Sequence, residues 1–451
     1  MIRPAADNRG ATSPARLETP GRVVGARHSV IGARWRRASS LLLLACSLLA
    51  SGPAPAADKV HVEFWTMSLK PKFTPYFKTL VKQYEAAHPG VELEWVDVPW
   101  DALQTKLTAA IVAGSAPSLV QLNVPWAYDY ALHGALRPID DLLGEERKNY
   151  TDGAIADLTF NGKVYGFPHY NSVNVMAYNA ALFKQAGITR IPTTRDEQLA
   201  AAKEIRARTG QYGFSPALGK IAGLMMEEGL PLVENGKAVF NSPAHVAFIA
   251  KFAEAYKAGG LLKDKLFSED NYPASIDAYK SGRMAMLEAP PSALTRVRDD
   301  AKDIYAVTDV APVPIGSRGI AAGGWLFHFA MPRGTTGSVA SEAARFAKFL
   351  TNDDNQLEFA KLAGAFPTAK KAIADPHFQK LRTDAGAYEK AMAIGAKRMD
   401  VVRTLYVAGV PGFERLNKRL QDAVEAAIIG RKDIKAALDE AVAFWNSKLG
   451  P

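Results

Sequence analysis

Gly166–Tyr178 reads GFPHYNSVNVMAY, and this stretch decides the fold. Its apolar residues do not recur at helical spacing, so it reads as extended chain crossing from one block of structure to another. Upstream, strand and helix patterns alternate. Val60–Trp65 (VHVEFW) has the apolar–polar alternation of a half-buried strand. Tyr76, Phe77, Leu80, Val81 and Tyr84 then recur at helical spacing, and His88-Pro89-Gly90 stops that helix. Val91–Val96 is a second strand, and Asp101 caps a helix running to Ala113. Ser118–Leu122 is a third strand, followed by a helix over Pro125–His133. Alternation of this kind builds a parallel α/β sheet.

Downstream the chain is richer in helix. Thr194 and Glu197 have capping-box spacing before a helix that reaches Thr209. Ser242-Pro243 opens another, with Val246, Ile249, Phe252 and Tyr256 inward. Two more extended stretches follow, Ser281–Ala289 (SGRMAMLEA) and Ala311–Pro332 (APVPIGSRGIAAGGWLFHFAMP). Three crossings between helix-rich blocks predict an α/β protein of two lobes, each a mostly parallel sheet flanked by helices, joined by a multi-crossing hinge. The expected division is residues 1–57 as a leader, 58–171 with 288–331 as the first lobe, and 172–287 with 332–451 as the second. Such a hinge leaves a cleft between the lobes, a preferred place for a ligand.

The chain of 451 residues is 48% hydrophobic and 22% charged, an ordinary globular composition. Its formal charge of +9 suggests nucleic acid until it is localised. Residues 1–57 hold eight arginines against Asp7 and Glu18. The apolar run Leu41–Ala50 and the small-residue exit SGPAPAA then complete the three parts of a secretory signal peptide. Cleavage after Ala56 or Ala57 fits, and the core is too short for a spanning helix of about 20 residues. Removing the leader leaves a near-neutral chain, which removes the case for a nucleic-acid partner. Arg36-Arg37 leaves twin-arginine export open, and Leu43–Cys46 leaves a lipid anchor on Cys46 open, beside a periplasmic location. Cys46 is the chain's single cysteine.

Catalytic and metal signatures are missing from the sequence. The acid pairs Asp140-Asp141, Asp299-Asp300 and Asp353-Asp354 are adjacent residues that do not face each other on a helix. Glu227-Glu228 reads as a solvated helix end, and Trp95 as core. No two histidines after the leader lie within five residues of each other, so helical metal-ligand spacing is absent. No catalytic residue, metal or cofactor is expected.

Seven segments in this order resemble the extracellular solute-binding proteins of ABC transporters, family 1, the group that includes maltose-binding and other sugar-binding proteins. They are VEFWTM at 62–67, FKTLVKQYEAAHPGVELEWV at 77–96, LTAAIVAGSAPSLVQLN at 107–123, GKVYGFPHYNSVNVMAYNAALFKQAGI at 162–188, YKSGRMAM at 279–286, GGWLFHFAMP at 323–332 and KFLTNDDNQLEFAKLAGAFPTAKKA at 348–372. The chain departs from the pattern at Gln121-Leu122-Asn123, where many members carry an Asp. The resemblance implies a two-lobed receptor, periplasmic or tethered at the surface, that closes on a small solute, most often a sugar or oligosaccharide, and delivers it to membrane permease subunits of an ABC importer. It implies a monomer. Left open are a charged solute, such as a glycerol phosphate or a polyamine, and a secreted glycoside hydrolase working with two carboxylates.

A sugar site wants flat aromatics for C–H faces and amide or carboxylate groups for hydroxyls. Strand ends and crossings supply Trp65, Trp100, Asn123, Trp126, His169, Tyr170, Asn171, Tyr272, Glu288, Gly323, Gly324 and Trp325 as candidate ligand contacts. The two glycines would let backbone approach a ligand closely.

Overall fold

The computed structural model describes residues 59–268, 270–379, 385–406, 410 and 412–449. The expected leader, its cleavage site and Cys46 lie outside these residues.

Val60–Met67 buries Val62 and Phe64 and pairs in parallel with Val91–Val98 on one side and Leu119–Asn123 on the other. The helices Thr74–Ala87 and Trp100–Ala113 are the crossovers between these strands. The first buries Tyr76, Phe77, Leu80 and Tyr84, the stripe its spacing predicts. The second begins one residue before its expected cap. Pro99 takes the capping position and Asp101 sits in the first turn, where its charge complements the helix dipole. Gly114 ends that helix at φ +70°, a conformation glycine adopts without strain.

Six strands make the first-lobe sheet, in the order Phe366–Pro367, Phe167–Val173, Gly324–Ala330, Leu119–Asn123, Val60–Met67, Val91–Val98. Gly324–Ala330 runs antiparallel to both neighbours. The second-lobe sheet of Met286–Ala289, Val175–Asn179 and Thr308–Pro312 is antiparallel throughout, extended by parallel bridges at Tyr212–Met284 and Phe214–Leu261. The two-lobed α/β plan is as expected; the mostly parallel sheets are corrected. A strand that returns from the opposite lobe enters its sheet from the far end, so it pairs antiparallel.

The opening stretch does cross. Phe167–Val173 lies in the first sheet and Val175–Asn179 in the second, with Asn174 between them. The return runs from Pro312 to Gly324. Ser281–Ala289 does not cross: its strand pairs with Val175–Asn179 and stays in the second lobe. A buried strand reads the same in sequence whether or not it changes lobe.

The expected lobe boundaries change accordingly. Residues 288–312 belong to the second lobe through their pairing with Val175–Asn179. Gly337–Leu350 and Asp353–Ala363, expected in the second lobe, pack on the first. Phe346 meets Phe64 edge-on at 4.9 Å, and the Tyr84 hydroxyl donates to Glu342 at 2.6 Å. The final helices, Phe413–Ile428 and Ile434–Leu449, complete the second lobe, where buried Trp445 donates through Nε1 to the Leu416 carbonyl at 2.7 Å. Trp95 packs half-buried on the first core, stacked on Phe77 at 4.9 Å. No helix among the described residues is long and apolar enough to cross a membrane.

Candidate functional site

The crossings floor a cleft of about 1910 Å³ between the lobes. One wall is the polar side of Trp100–Ala113, with Gln104, Thr105 and Thr108, beside Trp126 and Tyr128 of the helix Val124–Leu132. The other carries Lys220, Tyr272 and Glu288 from the second lobe. Gly323, Gly324 and Trp325 lie between them.

The floor is built by tight backbone contacts. Gly323 has φ +121°, and a Cβ there would approach Asn174 to 3.0 Å. A Cβ on Gly324 would meet the Arg403 carbonyl carbon at 2.8 Å. Residues 402–403 pair in parallel with 321–322, and Thr404 Oγ1 donates to the Gly324 carbonyl at 2.9 Å. Arg403 is in turn held by the buried carboxylate of Asp157 in the first lobe. Burial raises the Asp157 pKa, against the pull of Arg403.

Aromatic rings gather on this floor. Trp100 lies 5.1 Å from Trp126, 6.4 Å from Trp325 and 6.0 Å from Phe327, centroid to centroid. Trp100 remains 40% exposed, a large apolar surface at the cleft's edge. The Lys220 ammonium, from the opposite lobe, stands 5.9 Å from the Trp325 centroid.

Six of the twelve candidates therefore line one cleft: Trp126, Tyr272, Glu288, Gly323, Gly324 and Trp325. Trp100 joins them through its ring contacts. The other five do not line it. Trp65 is buried, with the Lys106 ammonium 4.3 Å over its ring and Nε1 donating to Glu63. Asn123 caps the next helix, accepting from the Trp126 amide at 3.0 Å. His169 lies beneath the sheet, stacked on Phe359 at 4.8 Å and paired with Gln121 at 3.2 Å; burial pushes its pKa down to about 3. Tyr170 stacks on Phe327 at 4.7 Å, and burial raises its pKa. Asn171 is buried and accepts the Trp325 amide at 2.9 Å, so it supports the platform from below. Side chains alternate along the crossing, so His169 and Asn171 share its buried side while Tyr170 between them is half-buried.

Glu227 corrects a further expectation. It is buried and not solvated: Arg195 Nη2 donates to it at 3.4 Å and the Ala322 amide at 2.9 Å. Burial raises its pKa to about 6, partly opposed by Arg195. Arg195 also donates to Glu288 at 2.6 Å, and Gln198 does so at 2.8 Å. Burial works against the Arg195 charge, but the two carboxylates more than offset it and its pKa is raised. Sequence reading missed Arg195, Thr108, Lys220 and Thr404. The first two sit within ordinary helical patterns, and no local motif marks the last two. Among the described residues, no group of three His, Cys, Asp or Glu side chains is placed to hold a metal ion.

The family model for bacterial extracellular solute-binding proteins matches residues 79–384. A protein of Synechococcus sp. MITs9220, described as an oligosaccharide periplasmic-binding protein, superposes with a TM-score of 0.77 at 28% identity, covering 86% of this chain and 98% of its own. A Brucella abortus (strain 2308) protein described as a binding protein is 26% identical over 420 residues, 89% of this chain and 96% of its own. The diacetylchitobiose binding protein DasA of Streptomyces coelicolor is 26% identical over 328 residues, 70% of this chain and 74% of its own. With a two-lobed α/β fold, an aromatic cleft between the lobes and a family match spanning both, the chain belongs to the bacterial extracellular solute-binding protein family.

Proposed function

We propose that this protein is the receptor of an ABC importer, capturing a sugar or oligosaccharide as its lobes close and handing it to membrane permease subunits. The observation that carries this reading is the Trp325 platform: an indole on a two-glycine floor, with Trp100 and Trp126 beside it and polar side chains on both walls. Aromatic faces take the C–H faces of a pyranose, and the walls supply donors and acceptors for its hydroxyls. The cleft's 1910 Å³ exceeds the roughly 300–1,000 Å³ of a typical small-molecule pocket, which favours a ligand of more than one ring. The names of DasA and of the Synechococcus protein point the same way.

Family membership makes this an exported binding protein. The arginine-rich leader supports a periplasmic location, the near-neutral remainder of the chain argues against a nucleic-acid partner, and the family resemblance supports a monomer. A hydrolase is disfavoured because Glu227 and Asp157, the acids whose pKa burial raises among the described residues, do not line the cleft.

A thermal-shift screen of the leader-free protein tests the reading, because a ligand raises apparent stability by mass action. Mono- and oligosaccharides, glycerol 3-phosphate and spermidine are the probes. A shift with a sugar is expected. A shift with glycerol 3-phosphate alone would replace the sugar with that anion, with Lys220 as its first contact, and a shift with spermidine alone would replace it with that cation, with Glu288 as its first contact. Turnover of a chromogenic glycoside would overturn the receptor-only reading.

A further inference from the structure

Two carboxylates share one buried guanidinium in the cleft wall. Arg195 opens the helix Arg195–Thr209 and is almost wholly buried. Its Nη1 donates to Glu288 Oε1 at 2.6 Å and its Nη2 to Glu227 Oε1 at 3.4 Å. Glu288 lines the cleft and keeps 22% of its side-chain surface exposed. Glu227 turns its second oxygen away from Arg195, to the Ala322 amide at 2.9 Å. Ala322 directly precedes Gly323, Gly324 and Trp325. A line of charge-assisted hydrogen bonds therefore runs from a ligand-facing carboxylate to the strand that carries the aromatic platform.

The contacts around this line are close. A Cβ on Gly316, in the loop leading to that strand, would fall 2.2 Å from the Glu227 carbonyl oxygen. Arg318 of the same loop donates through its backbone to the Glu227 carbonyl at 3.5 Å and through Nη1 to the Met226 carbonyl at 3.4 Å. The second-lobe helix Ile221–Glu227 is thus fixed to the returning crossing at both its last side chain and its last carbonyls.

We propose that Arg195 is a positioning residue that ties the ligand wall to the hinge: by gripping Glu288 and Glu227 together, it holds Ala322, and with it the Gly323–Gly324–Trp325 floor, in the orientation that receives the ligand. Truncating any member of the line loosens the floor, including Glu227, which does not line the cleft. Carboxylates at this strength of pairing are costly to strand, since a buried charge loses its compensation when its partner goes.

A charge signature separates this role from simple packing. The charged groups facing Glu227 are Arg195, Glu288, its neighbour Glu228 and, through the loop, Arg318. Burial holds the Glu227 pKa above its ordinary value in this arrangement, and water entering a released floor would bring it down. Protonation between pH 7.5 and pH 5.0 therefore favours the held floor.

The experiment is amide hydrogen exchange of the ligand-free protein across residues 320–326 at both pH values, corrected for intrinsic rates. In the native chain, protection is expected to rise on acidification. Glu227→Gln, which keeps an acceptor for Ala322 but does not titrate, gives protection that is flat with pH. Glu227→Ala and Arg195→Met lose protection at both values. Equal protection in native and Glu227→Ala protein overturns the proposal, and so does a shared pH profile in native and Glu227→Gln protein; the latter comparison decides if the alanine variant fails to fold. The link to ligand rests on the sugar-receptor reading: Arg195→Met should weaken a sugar found in the screen at least about fivefold by calorimetry. A screen with no sugar hit leaves the exchange result to decide the clamp by itself, and a sugar hit with unchanged exchange rejects the clamp and spares the receptor.

Discussion

The Asn171 side-chain oxygen accepts the backbone N–H of Trp325 at 2.9 Å, joining the outward crossing to the returning one beneath the aromatic platform. Both residues are buried or half-buried, so the bond sets where the indole stands. Asn171→Leu removes the acceptor and strands a backbone donor, which costs about 1–3 kcal/mol. We expect urea unfolding to report a loss in that range, and calorimetry to report weaker sugar binding although Asn171 does not line the cleft.

Trp325→Ala removes the platform itself. Truncating an aromatic anchor at the centre of a site costs about 1 kcal/mol or more, roughly fivefold in Kd. Circular dichroism should remain native, because the indole is only half-buried and the strand's pairing is made by backbone. Unchanged affinity would place the sugar elsewhere in the cleft.

Gly323→Ala should destabilise the protein by about 1 kcal/mol or more. The residue holds φ +121°, which L side chains rarely adopt, and its Cβ would press on Asn174 at 3.0 Å. Gly334→Ala is the matched control, since a Cβ there meets nothing within 4 Å. Equal midpoints for the two variants in urea would remove the steric argument.

Acid should weaken the fold from just below neutral pH. His169 and His328 are buried, and burial pushes each pKa from 6.5 down to about 3. The unfolded chain takes up protons at these sites before the folded one does, so stability is full above 6.5 and falls as pH drops toward 3. Each site contributes a slope of about 1.4 kcal/mol per pH unit in that window. Glu227 acts in the opposite sense between about 6 and 4.5, because its folded pKa is the higher one. Both ring nitrogens of His328 lack a hydrogen-bond partner among the described residues, so His328→Leu should cost little at pH 7 and cut the acid slope by one site's share. Urea midpoints at pH 7, 6 and 5 measure this; a variant slope equal to the native one would rule out His328 as a source.

Local patterns read well from sequence. The stripe Tyr76, Phe77, Leu80, Tyr84 and the Thr194–Glu197 capping box are consequences of spacing within one element, and both stand as expected. Trp325 after two glycines lines the cleft, a placement its position at a crossing suggested. The lobe to which a segment belongs was not legible, because Met286–Ala289 is an apolar run that any buried strand could show. Asn123, His169 and Asn171 had the right chemistry for a ligand but the wrong side of the strand or cap. Arg195 was invisible because its partners lie 32 and 93 positions away.

The edge strand Phe366–Pro367 and the helices before it finish a sheet that Val60–Met67 began. The Tyr76 hydroxyl finds its acceptor only at Asn355, 279 positions later. A chain emerging from its amino end therefore cannot close its first core until more than three quarters of it has been made. Such a polypeptide stays slack through most of its synthesis, the condition in which a chain can be threaded through a narrow pore.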